Sequence, residues 1–103
     1  MDIGKIKAIF DDLTQSTAQT DLTTSFVDHM DLTALNHEII RRLNKFFSNP
    51  TESNKSLAEF SQHVSRLEKI IPQLNGNEQV YYAKLYRVCQ LFIENYSKKS
   101  SVN

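Results

Sequence analysis

Residues 56–74 read SLAEFSQHVSRLEKIIPQL, and the spacing of their hydrophobic residues decides the fold class. Leu57, Phe60, Val64, Leu67, Ile71 and Leu74 recur at intervals of three and four. Successive side chains turn by about 100° on an α-helix, so this spacing lines all six along one face; a strand would alternate every second residue. Ser56 and Glu59 have the spacing of a capping box, in which the two side chains satisfy free backbone N–H groups at a helix start. Pro72 removes a backbone donor and should end or kink the helix near Ile71, and LNGN (74–77) then makes a turn.

The same period runs through the rest of the chain. Ile3, Ile6, Phe10 and Leu13 form one face of a first helix, weakened at its start by Gly4. TQSTAQT (14–20) is poor in apolar residues and reads as the first connection. Leu22, Phe26 and Met30 then share one face, whereas Leu32, Leu35, Ile39, Leu43 and Phe46 share another about half a turn away. One straight helix cannot bury both stripes against the same core, so a break falls near Met30–Asp31, with Asp31 or Thr33 capping the second piece. Asn49–Pro50 stops that helix, and NPTESNK (49–55) reads as a loop. Asn77 and Glu78 open a last helix that runs to about Ser97. These elements predict an all-α fold: a small antiparallel bundle of four main helices, with a short extra helical piece near 21–30. Residues 1–97 form a single domain and 98–103 a frayed polar tail.

Composition fits this reading. A chain of 103 residues is long enough to bury roughly two-thirds of its unfolded surface in one core. Its 40% hydrophobic content and its two glycines and two prolines argue against disorder and against a turn-rich all-β fold. No apolar run approaches the roughly 18 residues of a membrane span. The charged N-terminal stretch MDIGKIKAIFDD is a poor secretory signal. A lone cysteine, Cys89, fits a reducing compartment, so the expected location is cytoplasmic and the Asn54 and Asn95 sequons are accidental.

The net charge is zero but unevenly placed. Residues 1–32 carry six acids against two lysines, −4, and residues 33–103 carry ten basic against six acidic residues, +4. That division either steers docking onto a charged partner or complements itself within the fold. A neutral chain is poorly suited to nucleic acid, whose binding is driven by phosphate neutralisation.

Signatures of chemistry are missing or broken. HEIIR (37–41) begins like the helical zinc-protease signature, but Arg41 stands where the second histidine must be. His29, His37 and His63 fall at no ligand spacing, and no glycine-rich phosphate loop can be built from Gly4 and Gly76. Cys89 lies on an apolar helix face, where a thiol is a small hydrophobe with a raised pKa. Asp11 and Asp12 suit a solvated helix flank better than acid–base catalysis. The expectation is a protein that is not an enzyme and uses no metal or cofactor.

One segment points to function. VYYAKLYRVCQLF (80–92) holds Tyr81, Tyr82 and Tyr86, and Tyr96 follows it. On a helix, Tyr81, Leu85, Val88 and Phe92 form one row, and Tyr82, Tyr86, Cys89, Ile93 and Tyr96 form an adjacent one. The combined face is wider than a single neighbour covers. Either this helix packs between two neighbours with its tyrosines at the core rim, or a Tyr82–Tyr86–Tyr96 edge stays exposed for a partner. The second helix is equally broad, with Ile40 and Phe47 flanking its stripe, and a homodimer follows if one copy cannot cover both faces. Leu85-Tyr86-Arg87, with Phe92 downstream, resembles the signature of the mitochondrial LYR-motif family of small helical adaptors. That family carries the motif in its first helix and this chain in its last, so membership is not assigned.

The functional expectation is therefore an interaction module of adaptor, inhibitor, immunity-factor or chaperone type, meeting a protein partner or a second copy through Tyr82, Tyr86 and Tyr96. The alternative is a small nucleic-acid-binding regulator whose Arg41, Arg42 and Lys45 contact phosphate. Those three cations also sit where a helix dipole favours positive charge.

Overall fold

The computed structural model describes residues 3–16, 26–27, 30–48 and 54–101. Four α-helices carry the fold: α1 (Ile3–Ser16), α2 (Leu32–Ser48), α3 (Asn54–Ile70) and α4 (Gly76–Ser101). The all-α bundle of four main helices expected from the spacing is the fold observed. At 1.5 Å per residue, the 26 residues of α4 extend about 39 Å, which accounts for most of the 43 Å long axis.

Element boundaries follow local chemistry. The backbone N–H of Ala34 donates to Asp31 Oδ1 at 2.9 Å, so Asp31 caps α2 at the expected break. α2 ends at Ser48, two residues before Pro50. α3 ends at Ile70, and Ile71–Gln73 tightens into a 3-10 turn with Pro72 in its first positions. The Ile71 carbonyl accepts from the Leu74 backbone N–H and from Gln79 Nε2, both at 3.1 Å, which fastens the corner to the first turn of α4. Gly76, with φ of +59°, supplies the left-handed residue that corner requires.

Several boundaries differ from the sequence expectation. The extra helical piece near 21–30 is not formed at the positions described. Phe26–Val27 (β1) pairs antiparallel with Met30–Asp31 (β2), Phe26 opposite Asp31 and Val27 opposite Met30, and β1 lies against α2. The threonines and Val27 around Phe26 are β-branched and disfavour helix, and a capping Asp31 needs extended backbone. Residues 21–25 and 28–29 lie outside the described residues, as do 17–20 of the first connection and 49–53 of the loop. α3 starts at Asn54, so Ser56 and Glu59 lie inside the helix and do not form its cap. α4 starts at Gly76, ahead of Asn77, with the Asn75 carbonyl accepting from the Gln79 N–H at 3.4 Å. At its far end α4 continues past Ser97 to Ser101.

The helices meet in a fixed order. Arg42 of α2 reaches Glu59 of α3, whereas Leu35 and Glu38 face His63 and Arg66, so α2 and α3 run antiparallel. Ser61 and Val64 of α3 lie with Gln90, Ile93 and Glu94 of α4, and Glu68 lies beside Tyr86, so α3 and α4 are antiparallel too. α1 covers another side of α4. α4 therefore sits between two neighbours, and its wide face serves both: Tyr81, Tyr82, Leu85, Val88, Cys89 and Phe92 are all buried.

Aromatic rings close one end of the core. Phe92 packs against Phe46 at 4.9 Å, Phe47 at 5.9 Å and Phe60 at 6.1 Å between centroids, and Phe47 also meets Phe10 at 5.5 Å. Rings from all four helices thus converge on one point, the tilted and edge-on contacts favoured by aromatic quadrupoles. At the other end, Tyr81 Oη donates to Asn36 Oδ1 at 3.0 Å, tying the start of α4 to the start of α2.

Candidate functional site

The tyrosines of α4 divide between core and surface. Tyr82 is 2% exposed, packed edge-on against Tyr81 at 4.8 Å, and burial pushes its hydroxyl pKa up. Tyr86 and Tyr96 are half-buried. The three therefore do not form one exposed edge: Tyr82 turns inside, because α4 is enclosed from two sides and its buried arc is wide enough to take in that position. Tyr96 stacks toward Phe92 at 6.1 Å, at the margin of the phenylalanine cluster. Tyr86 opens onto a groove.

That groove runs between α3 and α4, with a volume of about 280 Å³. Val64, Tyr86 and Ile93 supply its apolar surface, and Ser61, Ser65, Glu68, Gln90 and Glu94 its polar rim. The Tyr86 hydroxyl accepts from Gln90 Nε2 at 3.0 Å. Burial, followed by the neighbouring Glu68 carboxylate, raises the Tyr86 pKa, which keeps the hydroxyl neutral and able to donate. Helical spacing puts 86, 90 and 93 on one strip, but the sequence places Gln90 and Glu94 on the polar side of the helix, away from the tyrosines, whereas both line this groove. The α3 wall of Ser61, Ser65 and Glu68 depends on how α3 packs against α4.

Arg41, Arg42 and Lys45 line one shallow pocket between α2 and α3, together with Phe46, Ser56 and Glu59. Arg41 Nη2 donates to Glu38 Oε1 at 2.6 Å, and Arg42 Nε donates to the same oxygen at 2.8 Å. Arg42 Nη2 also reaches Glu59 at 3.3 Å. Hydrogen bonding from Arg41 is the largest influence on Glu38, which is held down to about 2 against the opposing effect of burial. Two of the three cations are thus engaged by carboxylates of the chain itself. Lys45 lies in the last turn of α2, where the helix dipole favours it. The spacing of Glu38 to Arg41 and Arg42 is legible as three- and four-residue helix pairs. The link to Glu59 depends on how α2 and α3 pack.

His63 lies beside this network. Its Nδ1 is buried and has no hydrogen-bond partner among the described residues. Burial is the main cause of its lowered pKa, helped by the charges of Arg42 and Arg66 and opposed by Glu38 and Glu59. Cys89 is wholly buried in the core, and burial pushes its thiol far above the usual range. Among the described residues, no three His, Cys, Asp or Glu side chains are grouped to hold a metal, and no helix is long and apolar enough to cross a membrane. No protein-family model, no curated protein and no solved structure matches this chain.

Proposed function

We propose that the protein is a non-catalytic interaction module, of adaptor, inhibitor, immunity-factor or chaperone type, acting in the cytoplasm by binding another protein through the α3–α4 groove. The observation that carries this reading is the groove itself: Tyr86 and Ile93 present apolar surface above the buried Val64, at an open seam between two antiparallel helices and within a rim of polar side chains. An apolar strip between helices, ringed by polar groups, is the geometry into which helical partner segments fit. Tyrosine suits the position because it brings large contact area with few rotatable bonds. The Cys89 thiol is sealed in the core, and the Glu38 carboxylate is committed to two arginines.

Two substitutions test the reading. Tyr86→Ala with Ile93→Ser should leave helicity and cooperative unfolding in place and weaken association with the natural partner at least tenfold. Unchanged association by a folded double variant would remove the groove from the account.

A further inference from the structure

The charges around the groove specify what kind of segment it takes. Among the described residues, the charged side chains lining it are Glu68 on the α3 wall and Glu94 on the α4 wall. Neither glutamate enters an ion pair among the described residues, in contrast to Asp11, Glu38 and Glu59, each of which is matched by a cation. The apolar strip is thus edged by two negative charges, one on each side, that no described cation pairs with.

Their positions along the groove are also fixed. Glu68 lies level with Tyr86, which it contacts, and Glu94 is eight residues further along α4. At 1.5 Å per residue the two carboxylates are offset by about 12 Å along the seam. Tyr86 and Ile93, seven residues apart, offer apolar contact over about the same two turns. A helix lying in this seam meets the apolar strip with side chains spaced three and four apart, and passes one carboxylate on each flank.

We infer that the α3–α4 groove docks a basic amphipathic helix of a partner protein, whose apolar stripe covers Tyr86 and Ile93 and whose lysines or arginines, set about two turns apart on opposite flanks, pair with Glu68 and Glu94. The inference rests on the groove being the interaction face, and adds the chemistry of the partner. Rim charges of this sort govern the association rate and the choice between partners more than the total affinity, so the preference should be salt-dependent.

Two designed helical peptides of the same apolar stripe, one with lysine flanks and one with glutamate flanks, test it by amide chemical-shift titration of the full chain. The lysine-flanked peptide should bind at least tenfold more tightly, with shifts centred on 61–68 and 86–94 and with weakening as salt rises. Glu68→Lys with Glu94→Lys, both at exposed positions, should reverse the preference while circular dichroism stays unchanged. Equal binding of both peptides in the groove, weakened equally by Ile93→Ser, would overturn the basic partner and leave the groove as an interaction face. Shifts outside the groove, no binding by either peptide, or a concentration-dependent dimer that buries Tyr86 would overturn the proposed helix docking.

Discussion

Tyr82→Ala and Tyr86→Ala lie one helical turn apart and should differ sharply in cost. Tyr82 is 2% exposed and stacks edge-on against Tyr81. Truncating a buried aromatic ring to alanine costs about 3–5 kcal/mol, from lost transfer energy and the cavity left behind. A domain of this size has about 5–15 kcal/mol in all, so the change removes a large share of its stability. At roughly 4–8 °C per kcal/mol, the Tyr82→Ala Tm should fall by at least about 12 °C. Tyr86 is half-buried at the groove edge, and its alanine variant should lose about 1 kcal/mol, including the bond from Gln90. Tyr82→Phe keeps the ring and should stay within about 1.5 kcal/mol of the parent. Urea and thermal unfolding followed by circular dichroism read all three. Equal losses for the two alanine variants, or a Tyr82→Ala loss below about 1 kcal/mol, would refute the division of the tyrosines between core and surface.

Other perturbations probe the frame that holds the groove. His63 is neutral in the fold with a pKa below its unfolded value, so its contribution to stability is complete above about pH 6.5 and is lost as the pH falls through its lowered folded pKa. Its protonated form would meet Arg42 and Arg66 with only Glu38 and Glu59 in compensation; His63→Gln should therefore flatten the Tm decline between pH 7 and 5. Asp31→Ala removes the cap on the Ala34 N–H and should cost about 1 kcal/mol in urea unfolding, and Asp31→Asn should recover most of it. Gly76→Ala meets no neighbouring atom but must hold φ at +59°, so it should cost about 1 kcal/mol from backbone strain alone; a neutral result would mean the α3–α4 corner relaxes.

What the sequence made legible was local. The three-and-four spacing located all four helices, the half-turn mismatch between Met30 and Leu32 placed the break, and Asp31 and Pro72 act where their chemistry says they must. Reading failed where packing decides. Leu22, Phe26 and Met30 have helical spacing, yet Phe26 and Met30 belong to a paired two-residue bridge. Ser56 and Glu59 match a cap, yet the helix begins earlier and Glu59 faces Arg42 across the seam. At the end of α3, Ile70 rather than Ile71 is buried, because the 3-10 turn forced by Pro72 rotates the following residues. Tyr82 and Tyr86 occupy one row on a helical projection, and only the placement of α1 and α3 around α4 separates a core ring from a groove wall.

The central claim is that the protein meets its partner through the α3–α4 groove. Photo-crosslinking in the cell of origin tests it most directly, with p-benzoylphenylalanine placed singly at positions 86 and 93 and, as controls, at Ile9 and Val80, which are exposed on α1 and near the start of α4. The account predicts a discrete adduct from positions 86 and 93 that the controls do not give and that Glu68→Lys with Glu94→Lys diminishes. Adducts of equal yield at Ile9 or Val80, or none at either groove position in folded protein, would contradict it.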